Sequence, residues 1–176
     1  YTTLFRSFAG PDVFMANALE FGSYCKRVAS ELGMVGLFPM DNEVSQDDPE
    51  PGRTIYRKNR EMLDISDVVV VNLNDFRGND PDAGTVWELA YAVAKGKKVV
   101  GYLSKDETLV ERHRKQGTAF ERDGHYYDEH DRRIENFGNH VNLMVQHSVD
   151  ELVFGEVKDA LRYVYDTWMS EPSPVI

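Results

Sequence analysis

The sequence predicts an α/β fold: a single-domain, Rossmann-like three-layer sandwich around a central parallel sheet. Three observations predict it. Asp67-Val-Val-Val-Val-Asn-Leu73 is a continuous β-branched run, as expected of a strand covered on both faces. A second apolar run, Lys98-Val-Val-Gly-Tyr-Leu103, follows one helix-length segment later, which makes a right-handed βαβ unit. Strand-sized and helix-sized stretches alternate upstream in the same rhythm.

Taken in order, residues 3–8 can form a first strand, and Ala9-Gly-Pro-Asp-Val-Phe14 is a turn. Met15 to Leu32 reads as a helix stopped by Gly33, and Met34-Val-Gly-Leu-Phe38 as a short strand. Pro39 to Gly52 is a polar, acidic loop, and Arg53 to Ile65 a helix leading into the valine-rich strand. The acidic loop Arg77-Gly-Asn-Asp-Pro-Asp-Ala-Gly84 precedes a helix from Ala83 to Lys95, with Gly96 as its C-cap. Beyond Ser104 the pattern weakens. Residues 105–135 are highly charged, with Tyr126-Tyr127 read as local packing. Asn136 to His147 is polar with embedded Val141, Leu143, Met144 and Val145. Val149 to Trp168 carries a helical period on Leu152, Val153, Val157, Leu161, Val164 and Tyr165. One domain over 1–169 and a mobile tail over 170–176 are expected. Tyr1 to Ser7 back-translates readily into the end of a common sequencing-library adapter, so this stretch is expected to be a scar without functional meaning.

The bulk numbers narrow the function. Across 176 residues, 41% are hydrophobic and 28% charged, which is too apolar for disorder. A net charge of −10 repels phosphate backbones, so no nucleic-acid polymer is expected as partner. Cys25 is the only cysteine, which removes intrachain disulfides and cysteine-based zinc sites; it reads as structural. No apolar run suffices to span a membrane and no signal peptide is visible, so a cytoplasmic location is expected. His113, His125, His130, His140 and His147 lack zinc-helix spacing, and Gly78 and Gly84 do not make a dinucleotide fingerprint. No metal or cofactor is expected.

One residue stands out. Glu88 is the only charged side chain in Thr85-Val-Trp-Glu-Leu-Ala-Tyr-Ala-Val-Ala94, a helix that reads as buried nearly all round. A lone carboxylate there needs a partner or a chemical task. On the helical wheel, Val86, Leu89, Ala90 and Val93 form a stripe expected to face the sheet, with Glu88 opposite beside Thr85, Ala92 and Lys95. Trp87 and Tyr91 flank Glu88, so a ligand or a second subunit is expected to cover that face. Asp82 is well placed as the helix N-cap. Ligands of open α/β folds bind beyond the carboxyl ends of the strands, which here gathers Gly10 to Phe14, Pro39 to Glu43 and Asn72 to Asp82.

Several motifs occur together in order: Ala9-Gly-Pro-Asp-Val-Phe14, Gly36-Leu-Phe-Pro-Met-Asp41, Asn72-Leu-Asn-Asp-Phe-Arg-Gly78, Asp82-Ala-Gly-Thr-Val-Trp-Glu-Leu-Ala-Tyr-Ala92 and Val141-Asn-Leu-Met144. From about Ala9 to Leu161 the chain resembles the nucleoside 2-deoxyribosyltransferase family. The resemblance implies a flavodoxin-like fold and a homodimer or higher homo-oligomer whose neighbouring subunits complete each active site. It implies a 2′-deoxynucleoside and a free nucleobase as partners, exchanged in nucleoside salvage. Glu88 matches the family's nucleophile, which attacks the anomeric carbon and carries the deoxyribosyl group as an ester until a second base attacks. Asp82 matches the aspartate that binds sugar hydroxyls, and Asn142 an asparagine that reaches into the neighbouring subunit's site. Asn59 stands where some members place an aspartate that handles the base proton, a role an amide fills poorly. Asp41, Asn42 and Glu43 line up with the base-contacting loop, and Glu43 or Asp75 is a candidate for proton transfer. Gly10, Asp12 and Arg77 complete the expected substrate-binding set. Ser7 falls where a supporting tyrosine is common. Two rivals stay open: a hydrolase of 2′-deoxynucleoside 5′-monophosphates, and a nucleoside-sensing module without turnover.

Overall fold

The computed structural model describes residues 4–169, so the expected tail over 170–176 lies outside the described residues, as do Tyr1 to Thr3. Five parallel strands form the main sheet: β1 (Phe5–Ala9), β2 (Val35–Leu37), β3 (Val68–Asn72), β4 (Lys98–Leu103) and a late strand, Glu151–Phe154. Their order places β1 between β2 and β3, with β4 and then the late strand completing the far edge. Strand β3 is buried along its whole length, which its unbroken valines require.

Helices cover both faces. Helix α1 (Ala18–Glu31) packs on one face, while α2 (Pro51–Ile65) and α3 (Ala83–Ala94) pack on the other. Proline at the first turn of α2 loses no hydrogen bond, which lets that helix start two residues before the expected Arg53. The expected helix stops hold: Gly33 and Gly96 both adopt left-handed backbone, φ +72° and +67°. The charged stretch 105–135 holds more order than its composition suggests. It contains α4 (Leu109–Lys115), opened by a Thr108/Glu111 capping box, and an antiparallel hairpin of β5 (Phe120–Arg122) and β6 (His125–Tyr127). Arg114 and Arg122 lie over Tyr126 and Tyr127, so both tyrosines do pack locally. A one-turn helix, α5 (Leu143–Gln146), follows.

Two expectations need correction. The segment Val149 to Trp168 is not one helix. It divides into the edge strand β7 (Glu151–Phe154) and α6 (Val157–Trp168), separated by Gly155 at φ +150°. Leu152 and Val153 fit the helical period by chance, and the sheet edge claims them. On α3 the buried residues are Thr85, Leu89 and Ala92, whereas Ala90 and Val93 are exposed. With apolar residues nearly all round, the wheel carries little phase information. The helix is turned so that Glu88 sits beside the buried stripe rather than opposite it. Nor is it buried all round, because Trp87 is 42% exposed. No helix among the described residues is long and apolar enough to cross a membrane.

Candidate active site

The chain leaves β1 toward one face of the sheet and β3 toward the other, which opens a crevice at the carboxyl ends of these strands. A cavity of ≈ 480 Å³ lies there. The turn after β1 contributes Gly10, Val13 and Phe14 to its lining, and the loop after β2 contributes Pro39, Met40, Asn42 and Val44. Helix α2 adds Ile55 and Asn59, and the start of α3 adds Asp82, Thr85 and Glu88. The lining is therefore largely apolar, and the start of α3 brings two carboxylates to it.

Asp82 caps α3 as expected. Its Oδ2 accepts from the Thr85 backbone N–H at 2.9 Å and from the Thr85 hydroxyl at 3.2 Å. Two turns along, burial pushes the Glu88 carboxyl up to about 7, and the negative charge of Asp82 adds to the rise. Removing that charge while keeping a capping side chain separates the two causes. Asp82→Asn is expected to lower the Glu88 pKa below about 7 with little loss of helix stability, a shift readable by carbon NMR titration of the labelled glutamate.

The other expected site residues are dispersed. Gly10 and Asn59 line the cavity with Glu88. Asp12 lies just behind the lining, nearly buried, and both its oxygens accept from Asn72 Nδ2 at 3.1 Å. Burial raises its pKa, against the pull of that hydrogen bond. A Cβ on Gly10 would come within 2.4 Å of the Asp12 carboxylate, so glycine is required for this close approach. Asp41 caps the turn at Pro39–Asp41 by accepting from the Phe38 N–H at 3.0 Å, and it pairs with Lys26 at 2.5 Å. Glu43 is exposed and off the lining. Asp75 sits in a different cavity, 3.3 Å from Arg112 Nε. Arg77 adopts left-handed backbone at φ +52° and lays its guanidinium over Phe76 and Phe14, which are themselves stacked. Asn142 borders another hollow, where it caps α5 and donates to Glu135 at 2.7 Å.

Sequence reasoning gathered Val13 and Met40 at this edge within their segments but missed Val44 and Ile55, which lie in a loop and on a helix surface where single apolar residues carry no period. Asn59 lies one helical turn beyond Ile55, a spacing that was available as a signal.

Residues 8–144 match the model of a protein family described as nucleoside 2-deoxyribosyltransferase. The chain belongs to this family. It is also 31% identical, over 109 residues, to an uncharacterized protein of Schizosaccharomyces pombe; that alignment takes in 59% of this chain and 52% of the yeast protein. The chain thus spans about half the length of the curated relative it matches. Among solved structures, a 2-desoxiribosyltransferase from Leishmania mexicana aligns with TM-score 0.74 and 28% identity, covering 94% of this chain and 99% of that one. A conserved protein from Enterococcus faecalis aligns at 0.63 and 20% identity, again over 94% and 99% of the two chains. A 2-deoxyribosyltransferase from Bacillus psychrosaccharolyticus aligns at 0.57 and 20%, over 93% and 94%. The last two likenesses speak for the fold alone. For a member of the nucleoside 2-deoxyribosyltransferase family, the sheet order and the crevice beside β1 and β3 are the framework against which Glu88 is read.

Proposed function

We propose that this protein transfers a 2-deoxyribosyl group between nucleobases by double displacement, with Glu88 as the nucleophile. The observation that carries the reading is the cavity in which Glu88 and Asp82 stand together against an apolar wall. A carboxylate with few water neighbours is a stronger nucleophile toward an electron-poor anomeric carbon, and exclusion of water protects the resulting ester. Asp82 uses Oδ2 for its cap, which leaves Oδ1 for a sugar hydroxyl. Exposed apolar side chains, Phe14, Met40 and Ile55, offer surface on which a planar base can lie.

A second copy of the chain completes the site in this reading. Trp87 stacks on Tyr91 at 5.2 Å and meets the edge of Tyr56 at 5.3 Å, leaving an aromatic face beside the cavity that a neighbour covers. Asn142 does not border the cavity of its own chain, as expected of a residue that serves the adjoining subunit's site.

The test is intact-mass analysis after mixing the protein with a 2′-deoxynucleoside alone. A deoxyribosyl adduct on Glu88 and release of one base per site are expected. Adding a second base is expected to discharge the adduct into a new nucleoside. An adduct that never forms, with base released steadily into water, points to a hydrolase. Binding without base release points to a sensing module.

A further inference from the structure

Displacement at the anomeric carbon places the leaving base on the side opposite the attacking carboxylate. Glu88 and its N-cap partner Asp82 come from the start of α3, so the base is left to the rest of the lining, which α2 and the loops after β1 and β2 contribute. Two amides occupy it. Asn42 Nδ2 donates to Asn59 Oδ1 at 3.1 Å, and both side chains are half-buried. That bond leaves Asn42 Oδ1 as an acceptor and the Asn59 amide hydrogens as donors. Among the described residues lining the cavity, Asp82 and Glu88 are the ionisable ones, and neither comes from α2 or the loop after β2. The nearest acids along the chain do not replace them: Asp41 is committed to Lys26 and the Phe38 N–H, and Glu43 is exposed and off the lining.

Resting on the double-displacement reading, we infer that Asn42 and Asn59 hold the departing base by hydrogen bonds alone, so the enzyme selects nucleosides whose bases are stable as anions. A Glu88 oxygen bonds to the anomeric carbon as the carbon–nitrogen bond breaks. The electron pair stays on the base nitrogen, where the Asn59 N–H donors stabilise it, and water then supplies the proton. In the second half-reaction the acceptor base gives up its N–H proton to the hydroxide so formed, bonds to the anomeric carbon and frees the Glu88 carboxylate. An amide does not titrate in water and cannot act as a general acid. The cost of departure therefore falls on the acidity of the base itself.

The experiment follows single-turnover adduct formation on the full chain by intact mass, at saturating concentrations of 2′-deoxynucleosides whose substituted purine bases span a range of N–H acidity. The rate is expected to fall steeply as the base becomes less acidic, by up to about tenfold per pKa unit of the base. Adduct formation at a rate independent of base acidity overturns the inference and leaves the Glu88 reading standing. Absence of any adduct overturns both. Asn59→Asp installs a titratable donor; because general acids contribute roughly 10²–10⁴-fold, the spread between the most and least acidic base is expected to narrow by about tenfold or more. A folded Asn59→Asp protein with an unchanged spread removes Asn59 from the leaving base. If that variant does not fold, the series on the parent protein decides alone.

Discussion

Replacing Glu88 with alanine is expected to lower base exchange by on the order of 10⁴-fold or more, while the protein still folds and still binds nucleoside. Exchange by radiolabelled base, with nucleoside affinity by calorimetry, checks both halves. Near-normal exchange in the variant would remove the nucleophile assignment. A stability effect accompanies the loss. Burial in the folded chain pushes the Glu88 carboxyl from its ordinary value of 4.5 up to about 7, so folding disfavours its ionised form. A carboxyl raised on folding costs stability above its unfolded pKa. The cost grows between pH 4.5 and about 7 and is complete above that, on the order of 3 kcal/mol. Glu88→Gln is expected to recover much of it at pH 8 and little at pH 4, as measured by urea unfolding at the two values. Under the proposed mechanism the protein thus holds a destabilising group where catalysis needs one.

Arg6→Leu is expected to stabilise the protein, by on the order of 1–4 kcal/mol. The Arg6 side chain is 1% exposed within β1, and among the described residues the carboxylate it pairs with, Asp67, stands at 4.0 Å. Nη1 donates to the carbonyl of adjacent Phe5, and Nε has no partner among the described residues. Burial pulls the guanidinium pKa down, against the Coulombic support of Asp67. Leucine would lie beside Val68, which pairs with position 6, on the face that carries Phe8 and Val70. Exchange activity is expected to be unchanged, because position 6 lies at the end of β1 away from Gly10. A lower denaturation midpoint would show the guanidinium to be better satisfied than its contacts indicate.

The parts of the fold that were legible are those with one dominant signal. The valines of β3 and the glycine stops of α1 and α3 have few alternatives, and sequence and structure agree there within a few residues. Strand β7 was hidden because an edge strand with half-buried side chains leaves no clean alternation, and its Leu152 and Val153 fell into step with α6. The phase of α3 was hidden for the opposite reason, an excess of apolar choices. At the site, Glu88 and Asp82 were legible as costly or specifically placed charges. The apolar wall and the Asn42–Asn59 pair depend on loops meeting α2 in space, which no local period encodes.

The position of β1 also governs how the molecule is made. Strand β1 precedes both of its partners in the chain and ends up between β2 and β3, with Phe8 beside Val70, so half of its backbone pairing waits for residues some sixty places later. All four pairings in the sheet are parallel and need long crossovers, so chain closure must be largely complete before contacts repay it. During that interval the four-valine run of β3 has open edges on both sides, the form in which such segments pair with other chains. Slow closure of this sheet is therefore the stage at which pairing with other chains competes with folding.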